Sequence, residues 1–428
     1  MSPDFTGLSY ESAQLAHPDF FSSGNKALIG MFTRLSHRGV LRLGGNTSEF
    51  TRWSAAGTTE SGSASAVNPD TGQKEKSAST ITPKAIRNLR GFLDATGWHC
   101  IYGLNLSHGT PEQAAAEAKF VAETLGDKLI AVQMGNEPDL YFKTWRPKDY
   151  NFTAYLDEWN RFAGAIRKAV KNARFAGPDV AENYHWVAQF AAQHSPDTVM
   201  LTGHYYAEGP PSDPRMTIEY LLHPTPRLLA EISIATQASR ESKMPFRMAE
   251  GNCCHWGGKP GVSDTFASSL WAGDYMLQLA QAGYVGMNLH GGGGGVYSPI
   301  AGDTINGFTA RPVLFGMELA NQFASTTFLD TELDTNGANV TAYAAKRDDR
   351  WLLAIFNKDS TSVRVGLTGD SSRVIGTPTR TMLLRAPAID SKQGVTFAEG
   401  RAGIESSPDS KIAFEMSPYS GVLLEFGS

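Results

Sequence analysis

Three observations predict an α/β chain built as a (β/α)8 TIM barrel with a C-terminal all-β sandwich. Eight short apolar runs recur, stretches of helical periodicity separate them, and closely spaced β-type runs take over after about residue 325. The runs are "TGLSYES" at 6–12, "GVLRLGG" at 39–45, "HCIYGLNLS" at 99–107, "LIAVQMGNEP" at 129–138, "ARFAGPDVA" at 173–181, "TVMLTGHYYA" at 198–207, "PFRMAEGNC" at 245–253 and "GYVGMNLHGG" at 283–292. Near-continuous apolar runs suit parallel strands covered on both faces.

The connections support the barrel. Between 153 and 172, Tyr155, Trp159, Phe162, Ile166 and Val170 recur every three or four residues and form one helix stripe. Between 264 and 282, Ser263 is expected to cap the first turn, Phe266, Leu270 and Leu277 to face inward, and Gly283 to follow the last turn. Pro83 and Pro111 stand where a helix's first turn accepts proline. The polar stretch 54–80 reads as a long loop on the face carrying the strand C-termini. Beyond it all, "NVTAYAAKRDDRWLLAIFNKD", "SVRVGL", "TRTMLL" and "SGVLLEF" predict the sandwich. The expected domains are 1–322 for the barrel and 323–428 for the β domain.

Composition narrows the function. Hydrophobic residues make up 41% and charged residues 19%, so the chain can bury a large core. A formal net charge of −5 argues against non-specific nucleic-acid binding, which needs a basic surface. Cys100, Cys253 and Cys254 have neither disulfide nor zinc spacing and read as buried thiols. No apolar stretch is long enough to span a membrane. The N-terminus lacks the pattern of a signal peptide. A longer native form, secreted or periplasmic, is expected beside a cytoplasmic alternative. A monomer is expected.

In such a barrel the strand C-termini converge, and active sites sit there. The polar residues ending the eight runs should then face one another: Glu11, Asn46 with Thr47, Asn105, Asn136 with Glu137, Glu182, His204 with Tyr206, Glu250, and His290. Two carboxylates stand out, Glu137 and Glu250, at the ends of the fourth and seventh strands. Glycosidic cleavage needs such a pair, one protonated to serve the leaving oxygen and one ionised to attack carbon or activate water. "GGGGG" at 291–295 lacks a following Lys-Ser or Lys-Thr and is not a phosphate loop. No histidine shows metal-ligand spacing, so neither a metal nor an organic cofactor is expected.

"GNEP" with a seventh-strand Glu resembles the clan of retaining glycosidases built on this barrel. That resemblance implies Glu137 as acid/base, Glu250 as nucleophile, Asn136 at the sugar 2-hydroxyl, Tyr206 bonded to the nucleophile and His204 supporting the acid/base. Within the clan, "GLSYES", "LRLGGNTSEF", "MGNEPDLY", "GHYY", "MAEGN", "GGKPGVSDTFASSLWAGDYML" and "NLHGG" resemble glycoside hydrolase family 79, the family of heparanase and of bacterial and fungal β-glucuronidases. It implies a sugar carboxylate held by Gly257, Gly258 and Tyr297, and remote hydroxyls contacted by Glu11. His255 departs from the pattern, standing where the bacterial enzymes place a tyrosine. Glucuronate, 4-substituted glucuronate and a related sugar all fit that change.

The function expected is a retaining exo-β-glucuronidase acting on glucuronic-acid-containing oligosaccharides or glycosides. The alternatives are a clan relative for a neutral sugar (xylosidase- or arabinofuranosidase-like), a heparanase-like endo-enzyme, and a non-catalytic glycan-binding barrel. The endo-enzyme requires basic walls, and Lys and Arg do not cluster near the expected site in sequence.

Overall fold

All eight apolar runs form strands: β1 (Thr6–Glu11), β2 (Val40–Gly44), β3 (His99–Leu104), β4 (Leu129–Met134), β5 (Phe175–Val180), β6 (Thr198–Glu208), β7 (Phe246–Cys254) and β8 (Gly286–Gly291). In the computed structural model they pair in sequence order, all parallel, and β8 closes on β1. The structure describes residues 1–57, 66–67, 74–75, 79–193, 195–223, 225–291, 295–368, 377–405 and 412–427. Most of the expected loop 54–80, and the middle of the glycine run 291–295, lie outside them.

Helices cover the barrel as the periodicity requires. Phe152–Ala169 buries Tyr155, Trp159, Phe162 and Ile166, and the Asn151 side chain accepts from the Thr153 and Ala154 N–H groups. Pro83 and Pro111 both sit in first turns, and Thr110 forms a reciprocal capping box with Gln113. One expected cap is corrected. The helix Phe266–Gln281 has Thr265 at its N-cap. The Ser263 hydroxyl instead accepts from the Lys259 N–H at 2.9 Å, closing the turn before the helix. This helix is buried on nearly every side, because the β domain covers the face that would otherwise meet water.

The C-terminal sheet has six strands in the spatial order Thr327–Phe328, Val340–Arg347, Arg350–Asn357, Ser420–Phe426, Arg380–Arg385 and Thr396–Glu399. One face turns to the barrel helices. Phe356 packs so closely on Gly273 that a Cβ there would stand 2.8 Å from its ring. Asp274 of the same helix accepts from the Thr341 hydroxyl at 2.7 Å and the Tyr343 hydroxyl at 2.6 Å, and pairs with Lys358. The other face, with Ile355, Val422 and Leu424, meets the two-stranded sheet Val363–Leu367/Ile412–Met416 through Phe414 and Met416, giving the sandwich.

The barrel's interior is polar at its centre. Arg42 of β2, Gln133 of β4 and Thr202 of β6 are fully buried and joined: Arg42 Nε donates to Gln133 Oε1 at 3.1 Å, and Gln133 Nε2 to Thr202 Oγ1 at 2.9 Å. A buried guanidinium demands anions nearby. The chain supplies them one layer up, at the strand ends.

Candidate active site

A cavity of about 440 Å³ opens at the C-terminal mouth of the barrel, with Glu137 and Glu250 both in its wall. It also takes in Glu11, Asn46, Asn136, Tyr206, His255, His290 and Tyr297, so most of the residues expected at the site meet there. His204 lies just beneath, fully buried. Gly257 and Gly258 are not in the wall. They hold up Tyr297, whose N–H donates to the Gly257 carbonyl at 3.4 Å. Asn105 turns away, accepting from the N–H groups of His108 and Gly109 to fix its own turn. Glu182 is at the rim, paired with Lys143 at 3.1 Å.

The two central carboxylates occupy opposite environments. One oxygen of each, with a nitrogen of His204, lies within 4.8 Å of the others. Metal ligands share that spacing, but here a guanidinium and an imidazolium already supply the opposing charge. Glu250 accepts from the Tyr206 hydroxyl at 2.7 Å and from Arg42, and His290 stands 3.5 Å away. Burial alone would raise its pKa, but the charges of His290, His204 and Arg42, with the Tyr206 bond, hold it well below the usual carboxylate range. For Glu137 burial wins. Its pKa is raised, with the bond and charge of His204 pulling it down and the Glu250 charge pushing it up.

Glu137 is held by an unusual backbone. β4 ends at Met134, Gly135 takes φ 85°, and Glu137 itself takes φ 52°, a left-handed conformation that non-glycine residues adopt rarely. Its N–H donates to the Asp179 carbonyl at 3.0 Å. The turn is anchored from below by Glu49, which accepts from the N–H groups of Asn136 (2.7 Å), Leu106 (3.0 Å) and Ser107 (2.8 Å) and from the Tyr141 hydroxyl (2.5 Å).

Sequence reasoning missed Arg42, Asp179 and Glu49. Arg42 donates at once to Glu250, to Asp179 and, at 2.8 Å, to Asn136 Oδ1. It thereby ties the seventh, fifth and fourth strands together under the cavity. An arginine between two leucines in the wholly buried "VLRLG" was the available signal. Basic side chains also reach the site, although Lys and Arg do not cluster near it in sequence. Besides Arg42 beneath the cavity, Lys143, at the end of the short helix that follows Glu137, and Arg227, in the first turn of the helix Pro226–Ser242, stand in its wall.

A closed parallel (β/α)8 barrel with two unlike carboxylates at its mouth is the framework of the clan glycosidases. No family model matches the chain. It is 24% identical over 328 residues to a β-glucuronidase of Aspergillus niger and 24% identical over 330 residues to one of Neurospora crassa, each match covering 68% of this chain. The chain spans about half the length of these curated relatives, 56% and 55%. Among solved structures, a 4-O-α-L-rhamnosyl-β-D-glucuronidase of Fusarium oxysporum shares the fold with a TM-score of 0.73 at 18% identity, over 99% of this chain and 96% of that one. An α-L-arabinofuranosidase of Thermotoga maritima follows at 0.67 and 13%, over 94% and 90%. These relatives bear out the resemblance to glycoside hydrolase family 79.

Proposed function

We propose that the chain is a retaining exo-β-glucuronidase, removing terminal β-glucuronic acid from glycosides by double displacement. The observation that carries this is the Glu137–Glu250 pair, within 4.8 Å and pushed in opposite pKa directions. A separation of about 5–5.5 Å leaves no room for a water between carboxylate and sugar and belongs to retention.

The ionised Glu250 oxygen attacks the anomeric carbon. The bond to the leaving oxygen breaks as Glu137 transfers its proton to that oxygen. Glu137, now a carboxylate, takes a proton from water, whose oxygen attacks the anomeric carbon and releases Glu250. Tyr206 and Arg42 orient the nucleophile. For the uronate group, Tyr297 and His255 offer donors from the wall, with the Gly257 and Gly258 backbone behind them. The glucuronidase names of the sequence relatives support this choice of sugar.

The second reading is a neutral-sugar glycosidase. It is favoured by His255, whose pKa is lowered by burial, so the ring stays uncharged at neutral pH. Turnover on aryl β-glucuronide, β-glucoside, β-xyloside and α-arabinofuranoside decides between the two. A kcat/KM for glucuronide no higher than for the neutral glycosides overturns the first.

A further inference from the structure

β6 outruns one of its neighbours. Its pairing with β5 ends at Gly203–Val180, while its pairing with β7 continues through His204, Tyr205 and Tyr206 to Glu208. The register slips between Gly203 and His204, and such an irregularity re-aims the side chains that follow. Among the described residues, Tyr206 therefore stands on a stretch of strand paired on one side only, yet its hydroxyl is held 2.7 Å from Glu250. Backbone carbonyls beyond the end of β5 need donors from elsewhere. Side chains replace the missing strand: the Tyr184 hydroxyl donates to the His204 carbonyl at 2.9 Å, and Arg227 Nη2 donates to the Tyr206 carbonyl.

Helix stability gives no reason for an arginine at 227. In the first turn of the helix Pro226–Ser242 a cation opposes the helix dipole, and its partner Glu231 follows it by four residues, the weaker order for an ion pair on a helix. β6 supplies the reason. The guanidinium stands 4.6 Å over the Tyr205 ring, and the Tyr205 hydroxyl lies 2.9 Å from Thr225 Oγ1, the N-cap of the same helix. Arg227 Nη1 donates to Glu231 Oε1 at 3.0 Å, which turns Nη2 to the Tyr206 carbonyl. Glu231 is buried, so the pair is anchored inside the protein although Arg227 reaches the cavity wall.

We propose that Arg227 is a positioning residue for the nucleophile: it joins Glu231 to the Tyr206 carbonyl, fixes the one-sided end of β6, and so keeps the Tyr206 hydroxyl on Glu250. This rests on the glycosidase reading above, in which Glu250 attacks carbon, and adds a residue that acts through Tyr206 and takes no part in the bond changes. The planar guanidinium suits the task, since its donors lie in a rigid fork and serve two acceptors at fixed angles, whereas a lysine offers one nitrogen on a flexible stem. Burial raises the pKa of Glu250, and the Tyr206 bond works with the charges of His290, His204 and Arg42 to hold it down. A loosened β6 therefore costs the nucleophile part of its charge as well as its aim.

The test is a mutant cycle on an aryl β-glucuronide. Arg227→Met with Glu231→Gln removes the clamp and strands no buried carboxylate, Tyr206→Phe removes the hydroxyl, and a third protein carries all three changes. The first should lose about tenfold in kcat with KM within about twofold, and its acid limb of kcat/KM should move to higher pH, since Glu250 then keeps its proton longer. Tyr206→Phe should move the limb the same way. Adding the other two changes to it should leave the limb in place and kcat within about twofold, because all act through one contact. Losses that multiply in the third protein, or an acid limb that the first protein does not move, make the pair part of the fold only and overturn the proposal. A loss carried by KM, and altered when the aryl leaving group is exchanged for a sugar, makes Arg227 a substrate contact and overturns it too. Should the Arg227→Met/Glu231→Gln protein melt below the assay temperature, Arg227→Lys, which keeps a cation beside Glu231, takes its place in the cycle under the same criteria. Wild type that cleaves a neutral aryl glycoside and no glucuronide overturns the glucuronidase reading alone, and the cycle is then run on that glycoside.

Discussion

His204 Nε2 lies 2.9 Å from Asp179 Oδ1, and on its other side the same ring places Nδ1 2.9 Å from Glu137 Oε1. Both nitrogens stand beside carboxylates, and a ring carrying two protons pairs with both. Burial lowers the pKa of His204, but Asp179 and Glu250 outweigh it and push it up to about 10. Glu137 Oε1 is therefore occupied as an acceptor, which leaves Oε2 to carry the proton given to the leaving oxygen. Asp179 is not itself in the cavity wall; its carboxylate acts through the imidazole and Arg42, and its carbonyl accepts the Glu137 N–H.

Replacing Asp179 by Asn tests that chain of contacts. With the anion gone, His204 releases its second proton at lower pH, and Glu137 loses the charged bond that draws its pKa down. Glu137 then keeps its proton to higher pH, so the alkaline limb of kcat/KM should move upward. We expect kcat to fall on the order of 10²-fold, as when general acid–base geometry is spoiled. A pH–rate profile checks both. An unshifted alkaline limb would mean that Asp179 only holds the fold.

The same logic sets the wild-type pH dependence. Glu250 must be ionised, and its pKa is lowered, so the acid limb lies below the ordinary carboxylate range. Glu137 must be protonated, and its pKa is raised, so the alkaline limb lies above that range. Glu250→Ala should abolish hydrolysis. Glu137→Ala should lose about 10²–10⁴-fold on substrates with poor leaving groups and regain turnover with azide, giving the β-glycosyl azide. Azide rescue that yields the β-azide in Glu250→Ala, and the α-azide in Glu137→Ala, would exchange the two roles.

How much of this was legible depended on where each residue stood. Glu137, Glu250, Asn136 and Tyr206 follow apolar runs, and the barrel's topology gathers strand ends without further information. Arg42 stands inside a run, and its partners Asp179 and Glu250 are 137 and 208 residues away. A sequence shows that such an arginine needs anions but not which ones. Glu49 was hidden in the same way, since its acceptor role depends on backbone N–H groups that no side-chain pattern reports. In the sandwich, the four-residue strand Thr396–Glu399 is too short to show alternation, and Ile412–Met416 reads as a strand only once its partner Val363–Leu367 is seen. Ser263 was a sound cap by composition, but the turn at Lys259 claimed its hydroxyl.

Arg42 is the cation that lets the buried anions coexist. Its side chain is 1% exposed, that of Asp179 0% and that of Glu250 7%. Arg42→Met keeps much of the side chain's length and apolar stem but strands two carboxylates, and breaking such a buried pair costs about 3–5 kcal/mol. We expect a lower denaturation midpoint at neutral pH and an acid limb of activity moved upward, since Glu250 loses a charge that holds its pKa down. A midpoint within about 1 kcal/mol of wild type would show that water or another cation replaces the guanidinium.

Gly258 fixes the far wall of the sugar site. Its φ is 88°, and a Cβ there would stand 2.9 Å from both the Ser263 Cβ and the Tyr297 N, and 3.0 Å from the Tyr297 Cβ. Contacts that short force a shift, and the nearest atoms are backbone or close to it, so Tyr297 must move. Tyr297 faces the cavity with its ring centroid 6.4 Å from that of Tyr206, whereas Glu137 and Glu250 are held by separate strands. Gly258→Ala should therefore raise KM for glucuronides by about tenfold while leaving kcat within about threefold, the mark of binding lost without loss of chemistry. A fall in kcat with KM unchanged would place Gly258 in the support of the nucleophile rather than of the sugar's carboxylate.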